Sequence, residues 1–423
     1  MTAEIAIMNK VAVALAADSA VTLKQRSGLK VYRSTNKLFS FAAGQPIGIM
    51  TYGNAVIMGV PWETVIKIYV NKLGNKRFNR LEDYSKDFLD FLVKNKSLFP
   101  KHIQDETVAN IILRYFINFI RNEINKEIKM VVEKEKKIND ERVGEIVSDV
   151  IKKTRKSLEK MDDLASMPKK FGLQIIEKHR EKIDKKIKEA FLKLPLNAEL
   201  KEDLIAIAGY IFEKDIFLPG ISSGIVLAGF GDEEIFPALH SILIEGKFEN
   251  FLKWKEVRKE GISFNVGSSI APFAQIDVVY NFMEGIDPTL DSFLKNYIEE
   301  LLVNLPNTIV DCIKELDDKR KEEIKKRFNS LTKKTLDNFL AEMRNYRRNN
   351  HSFPILSSIS AQPPYELAML AESLINLTSL KQRVTLDIET VGGPVDVAII
   401  TKGDGFVWLK KKNQPLHAMA YNY

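Results

Sequence analysis

The pattern of apolar and polar positions divides the chain into alternating β and helical stretches. Ile5 and Ile7, then Val11, Val13 and Leu15, alternate with small or polar neighbours around an Asn9-Lys10 turn, which predicts a hairpin of two short strands. Residues 37–41 and 47–51 predict a second pair, ended by Gly53 and followed by a helix over 54–73. From 74 to 218 the alternation gives way to Lys, Glu, Ile and Leu at helical spacing, with opposite charges three or four residues apart. Strands return at 224–231, 234–243, 251–257 and 262–266. A turn is expected at Gly267-Ser268-Ser269 and a helix over 272–283. Residues 290–346 read as a second charged helical stretch, 349–364 as a loop and 365–380 as a helix. The last segment, 395–409, reads as a hairpin turning at Gly403-Asp404-Gly405.

This order predicts an α+β fold with one core made of residues 1–73, 219–287 and 353–423, interrupted by helical insertions at 74–218 and 288–352. The insertions carry too many Lys and Glu residues to be buried in that core, so they are expected on its outside.

Composition narrows the function classes. A length of 423 residues suffices for a large core without cross-links. The single cysteine, Cys312, cannot form a disulfide within the chain, and it lies in a charged helical stretch with no histidine partner to activate it. His102, His179, His240, His351 and His417 are scattered, so neither metal nor cofactor is expected. Gly229 and Gly231 follow a strand, but no phosphate-binding glycine pattern continues from them. A net charge of +7 spread over mixed signs makes the basic helices a solvated face rather than a nucleic-acid surface. No apolar run has membrane-spanning length, and Glu4 and Lys10 break up the early apolar stretch, so a cytoplasmic protein is expected.

The chemistry is expected at the start of the chain. Removal of Met1 ahead of the small Thr2 would place a hydroxyl and a free α-amine on one residue. A hydroxyl needs a base to become a nucleophile, and an α-amine with an ordinary pKa of about 7.7–8 suits that task. Such a site also needs a cation beside the amine, a carboxylate to hold the cation, and an N–H donor for the oxyanion. Lys37, Asp18 and Gly53 offer these in order.

Thr2, AADSAVT, NKLFSF, PIGIMTYG, GIVLAGFG, FNVGSS and VGGPVDVAIITKGDGFVWL together resemble, in order, the proteasome β-subunit family of N-terminal nucleophile hydrolases. Bacterial members of that family include Anbu and the HslUV peptidase. The resemblance implies a four-layer αββα sandwich and a threonine peptidase acting on peptides or unfolded protein. By the same resemblance, Thr2 is nucleophile and base, Asp18 and Lys37 tune the amine, and Gly53 donates to the oxyanion. Ser268 matches a serine near the amine, and Thr22 matches the residue whose backbone pairs with substrate. Val21, Thr35 and Thr51 match the lining of a small, uncharged specificity pocket. The resemblance further implies a homo-oligomeric ring or spiral and an ATP-dependent unfoldase as a partner class. Ala20 stands where the family has arginine. Ile388 and Val391 stand where its late Asp and Ser fall, with Asp387 and Glu389 adjacent. Two other readings keep the fold: a catalytically silent scaffold subunit, and an amidohydrolase of small molecules.

Overall fold

The computed structural model describes residues 3–25, 28–32, 34–41, 45–313, 317–385 and 391–412. The chain is mixed α and β with antiparallel sheets, and it divides into two compact units, each holding one five-stranded sheet. Elements are numbered along the chain.

The first unit gathers residues 1–38, 235–237 and 261–423. Its sheet contains β1 (Ala3–Asn9), β2 (Ala12–Ala17), β12 (Ser268–Ala274), β13 (Asp396–Thr401) and β14 (Gly405–Lys410), in the order β12-β1-β2-β13-β14. Ile5, Ile7, Ala14, Ala16, Val397 and Ile399 pack with Leu367, Ala371 and Leu374 of α12 (Pro364–Val384) in one core. The alanines of β2 leave room for the helix to lie close over the middle of the sheet. Asn9 makes the β1–β2 turn: its Oδ1 accepts from the backbone N–H of Val11 and Ala12, and its Nδ2 donates to the carbonyls of Ile359 and Gln362. Val11 is therefore an exposed turn residue and the strand begins at Ala12. A small hairpin follows, β3 (Val21–Gln25) with β4 (Gly28–Tyr32).

Three expectations for this unit are corrected. Ser268 opens a strand rather than making a turn, and that strand runs through Pro272, where a helix was expected. β12 is an edge strand, where a residue without an N–H is tolerated, and only α8 (Asp277–Glu284) is helical there. Residues 262–266 form no strand. The expected loop at 349–364 holds a π turn (Arg348–Ser352) and α11 (Phe353–Ser360), which continue the helical backbone of α10, with Pro354 just after the π turn. The charged stretch before it is two helices, α9 (Pro288–Cys312) and α10 (Asp318–Arg347).

The second unit gathers residues 39–234 and 238–260. Its sheet, ordered β11-β10-β9-β6-β5, contains β5 (Leu38–Ser40), β6 (Ile47–Gly53), β9 (Ser223–Gly229), β10 (Ala238–Phe248) and β11 (Phe251–Gly261). The expected helix over 54–73 starts late: β7 (Val56–Ile57) and β8 (Val60–Pro61) form a small hairpin before α1 (Trp62–Leu73). α1 and α2 (Leu81–Lys94) pack the aromatic residues Trp62, Tyr69, Tyr84 and Phe88 on Ile49, Leu227 and Ile242 of the sheet.

A second core in this unit belongs to α3 (Lys101–Tyr115), a π turn (Phe116–Arg121), α4 (Asn122–Glu135), α5 (Asp140–Glu159), α6 (Phe171–Ala190) and α7 (Ala198–Glu213). Asn139 and Asn197 cap α5 and α7 through the backbone N–H groups of Arg142 and Leu200. α6 and α7 meet at Gly172 and Gly209, so closely that a Cβ at Gly172 would lie 2.7 Å from the Gly209 carbonyl. Among the described residues, no helix is long and apolar enough to cross a membrane.

Gly172→Ala is expected to force α6 and α7 apart and to cost about 1–3 kcal/mol. The check is a shift of the urea midpoint at unchanged m-value; an unchanged midpoint would show that the helices are not held at backbone contact.

Candidate active site

The site is built around Asp18, the first residue after β2. The hairpin register places it beside Ala3, and the pairing is closed both ways. Asp18 N–H donates to the Ala3 carbonyl at 3.1 Å, and the Ala3 N–H donates to Asp18 Oδ1 at 3.0 Å. Oδ1 also receives the Lys37 ammonium. Oδ2 accepts from the N–H groups of Ala20 at 3.2 Å and Gly392 at 2.9 Å. A carboxylate 2% exposed thus has four donors, the condition under which burial of the charge is tolerable.

Lys37 is 3% exposed and reaches a second carboxylate, Glu4, at 3.5 Å. Glu4 pairs across the sheet with Ala17, and Ala17 pairs on its other side with Asp396 of β13. Directly opposed residues share a face, so Glu4 and Asp396 flank the end of β2 on one side of the sheet. Asp396 holds a second buried lysine. Its Oδ1 accepts the Lys412 N–H at 2.8 Å, and Lys412 Nζ lies 3.2 Å from Oδ2. Lys412 Nζ also donates to the Thr35 carbonyl, while the Thr35 N–H donates to Ser19 O at 3.1 Å. The segment that carries Lys37 is therefore tied at Thr35 from two sides. Burial, reinforced by the Lys37 cation, pulls the Lys412 pKa down against the opposing pull of Asp396.

The expected residues fall into distinct places. Asp18 and Lys37 meet, and Thr35 sits beside them through its backbone. Thr2, Asp387, Ile388 and Glu389 lie outside the described residues. Val21 and Thr22 start β3, opposite Tyr32 and Val31. Val391 is buried, and its N–H donates to Gln382. Ser268 is not brought to the site. It pairs with Asn9 at the far end of β1 from Ala3, six residues or about 20 Å along the strand, and its hydroxyl donates to the Leu356 carbonyl at 2.6 Å.

Thr51 and Gly53 belong to the second unit, at the end of β6. Gly53 takes a φ of +80°, which favours glycine, and a Cβ there would come 3.0 Å from the Ser222 carbonyl. The residues that sequence reasoning missed are Glu4, Asp396 and Lys412. The signal for Glu4 was a charge inside an otherwise apolar strand.

Asp105, His179 and Glu249, in the second unit, have ligand-type atoms within 4.8 Å of one another. The charge balance there disfavours a cation. Lys101 bridges Asp105 and Glu249, Lys178 pairs with Glu249 at 2.8 Å and Lys182 with Asp105 at 3.5 Å, so the three lysines already outnumber the two carboxylates. His179, at a kink in α6, is 3% exposed, and burial pulls its pKa down against the pull of Asp105.

Two outcomes are expected. Lys37→Met leaves Asp18 and Glu4 buried without their cation and should destabilise the protein by about 3–5 kcal/mol; a denaturant midpoint within error of wild type would contradict the arrangement. His179 is held neutral when folded, so the unfolded chain takes up the proton first as pH falls. Its contribution is complete above the ordinary histidine pKa of about 6.5 and is lost as pH drops below it. Urea midpoints measured from pH 8 to pH 5 should fall more steeply for wild type than for His179→Gln. No protein-family model matches the chain, and no curated protein matches it.

Proposed function

We propose that the chain is an N-terminal threonine hydrolase that cleaves peptide bonds, with Thr2 as nucleophile once Met1 is removed. The observation that carries this reading is the Asp18 carboxylate, which binds both the Lys37 ammonium and the backbone N–H of Ala3, the residue next to Thr2. In this reading the Thr2 α-amine takes the Oγ proton as Oγ attacks the substrate carbonyl, then passes it to the departing amine. An ester forms on Thr2, and water, deprotonated by the same amine, releases the acid. Lys37 keeps the resting amine neutral by its charge. The buried groups Glu4, Asp18 and Asp396 outnumber Lys37 and Lys412 by one negative charge, and that surplus favours the ammonium that forms as the reaction proceeds.

The four-layer αββα sandwich, the Gly53 oxyanion donor and a ring or spiral of subunits enter this proposal through the sequence resemblance alone. One observation favours the silent-subunit reading: Ser268, expected beside the amine, has its hydroxyl engaged with Leu356.

Intact mass of the purified protein, with and without a peptide epoxyketone, separates the two. That warhead needs a hydroxyl and a free amine on one residue. Loss of Met1 and one adduct per chain, both adduct and peptidase activity being absent in Thr2→Ala, is the expected result. Retained Met1, or a mature chain that takes no adduct, would make the silent subunit the better reading.

A further inference from the structure

α9 and α10 form an antiparallel hairpin whose inner seam joins half-buried Ile298, Leu302, Leu336 and Leu340 with polar ties. Asp291 pairs with Arg347 at 3.0 Å, the Thr332 hydroxyl donates to the Leu302 carbonyl at 3.0 Å, and Lys325 pairs with Asp311 at 2.7 Å. These ties set the register from one end of the hairpin to the other. Along both helices only Val310, Thr332 and Arg347 are buried.

Most of the larger exposed apolar residues form two stripes away from the seam, with Phe293 and Val303 of α9 lying off them. Leu290, Leu294, Tyr297, Leu301, Leu305 and Ile309 of α9 recur every three or four residues and are 36–58% exposed. Phe328, Leu331, Phe339 and Tyr346 of α10 form a second stripe, 36–60% exposed. At about 100° per residue, the α9 stripe is rotated about 100° from the seam and the α10 stripe about 70°, in the same sense along each chain direction. Because the helices are antiparallel, equal senses of rotation bring both stripes to one side of the hairpin. That side is about 30 Å long and two helices wide, roughly 600 Å². Two such faces together bury about 1,200 Å², the lower bound of a stable protein interface.

Charge selects the occupant. α9 carries four acids and one base, whereas α10 carries ten bases and five acids. We propose that this face binds the same face of a second copy of the chain, giving an antiparallel four-helix bundle in which each α9 lies on α10 of the other copy. A two-fold axis along the bundle closes the assembly and repeats every contact. It also leaves residue heights unchanged, so each α9 residue faces the α10 residues that lie level with it in its own hairpin. Glu300, at the outer edge of the α9 stripe, is then level with Lys334, at the outer edge of the α10 stripe of the second copy. The alternative axis would set α9 on α9 and α10 on α10, opposing like charges.

Sedimentation velocity of the full chain over a wide concentration range tests this. Wild type is expected as a dimer or a higher even-numbered assembly, and the Leu301→Asp/Leu331→Asp double variant at half that mass with its circular dichroism retained. Should that double variant misfold, the exposed charge pair decides. Glu300→Lys and Lys334→Glu each alter two symmetric contacts and should weaken association several-fold to about tenfold, and the two together should restore it. Thr2→Ala should associate like wild type, which keeps this result separate from the fate of the hydrolase reading. A wild-type monomer at all concentrations, or a mass indifferent to both the Asp variants and the charge pair, would overturn the proposal.

Discussion

Everything in the candidate site depends on one buried carboxylate being satisfied on both of its oxygens. Asp18 gathers the start of β1 through Ala3, the turn after β2 through Ala20, the segment before β13 through Gly392, and the lysine that precedes β5. A buried anion without donors costs several kcal/mol. The four donors offset that cost only when all four segments are in place, so the carboxylate acts as a test of correct assembly of the first unit. The same geometry concentrates charge where the chain begins. Sheet pairing brings Glu4 and Asp396 to either side of Ala17, and the two lysines are drawn in to compensate. Lys37 is consequently defined by a carboxylate, a sheet face and the backbone at Thr35 rather than by its own rotamer preferences.

Legibility in the sequence followed the range of the interaction. The β1–β2 hairpin was visible because its alternation and its Asn turn are local, and the Asp18–Lys37 pair followed from spacing and resemblance. Asp396 and Lys412 were not visible. Their partners are each other and Thr35, and nothing in the local pattern distinguishes a lysine near a strand end from a solvated one. Ser268 was misplaced for a related reason. Gly267 before it and Ser269 after it suggest a turn, yet its position is decided by pairing with Asn9, far away in the chain. Pro272 and Pro354 misled in opposite directions. Pro272, which suggests a helix start, sits in an edge strand; Pro354, which suggests a loop, sits in a continuous helical run just after a π turn. At the sheet edge Pro272 has no strand on its outer side to donate to, whereas Pro354 is accommodated next to a π turn, where the intrahelical bonding is already shifted.

The two expected insertions differ in how their apolar residues are satisfied. The helices from α3 to α7 enclose their own core, with Phe116, Phe171 and Phe212 fully buried and two helices in backbone contact at glycines. They are also joined to their sheet by a fully buried pair: Lys253 of β11 binds Glu245 of β10 and the carbonyls of Ile211 and Ile216. That lysine is costly to bury, and the three acceptors around it make the cost a constraint on how the end of α7 meets the sheet.

The α9–α10 hairpin has no such solution within its own chain. Its seam combines ion pairs and a hydroxyl, interactions worth little at a solvated surface, with half-buried Ile298, Leu302, Leu336 and Leu340, while a larger set of Leu, Ile, Phe and Tyr residues lies outward. A helix gains most of its stability from packing an amphipathic face rather than from propensity. A hairpin that leaves twelve large apolar side chains exposed therefore leaves most of its large apolar residues unburied within one chain. Its two outward stripes share one side because the offset from the seam has the same sense in both helices, a relation that random substitution of surface residues would not maintain. The opposite net charges of α9 and α10 add a second constraint of the same kind, since they favour only one of the two symmetric ways of covering that side. Pattern and charge thus agree on a single arrangement, and agreement between independent levels is the physical mark of a specified contact.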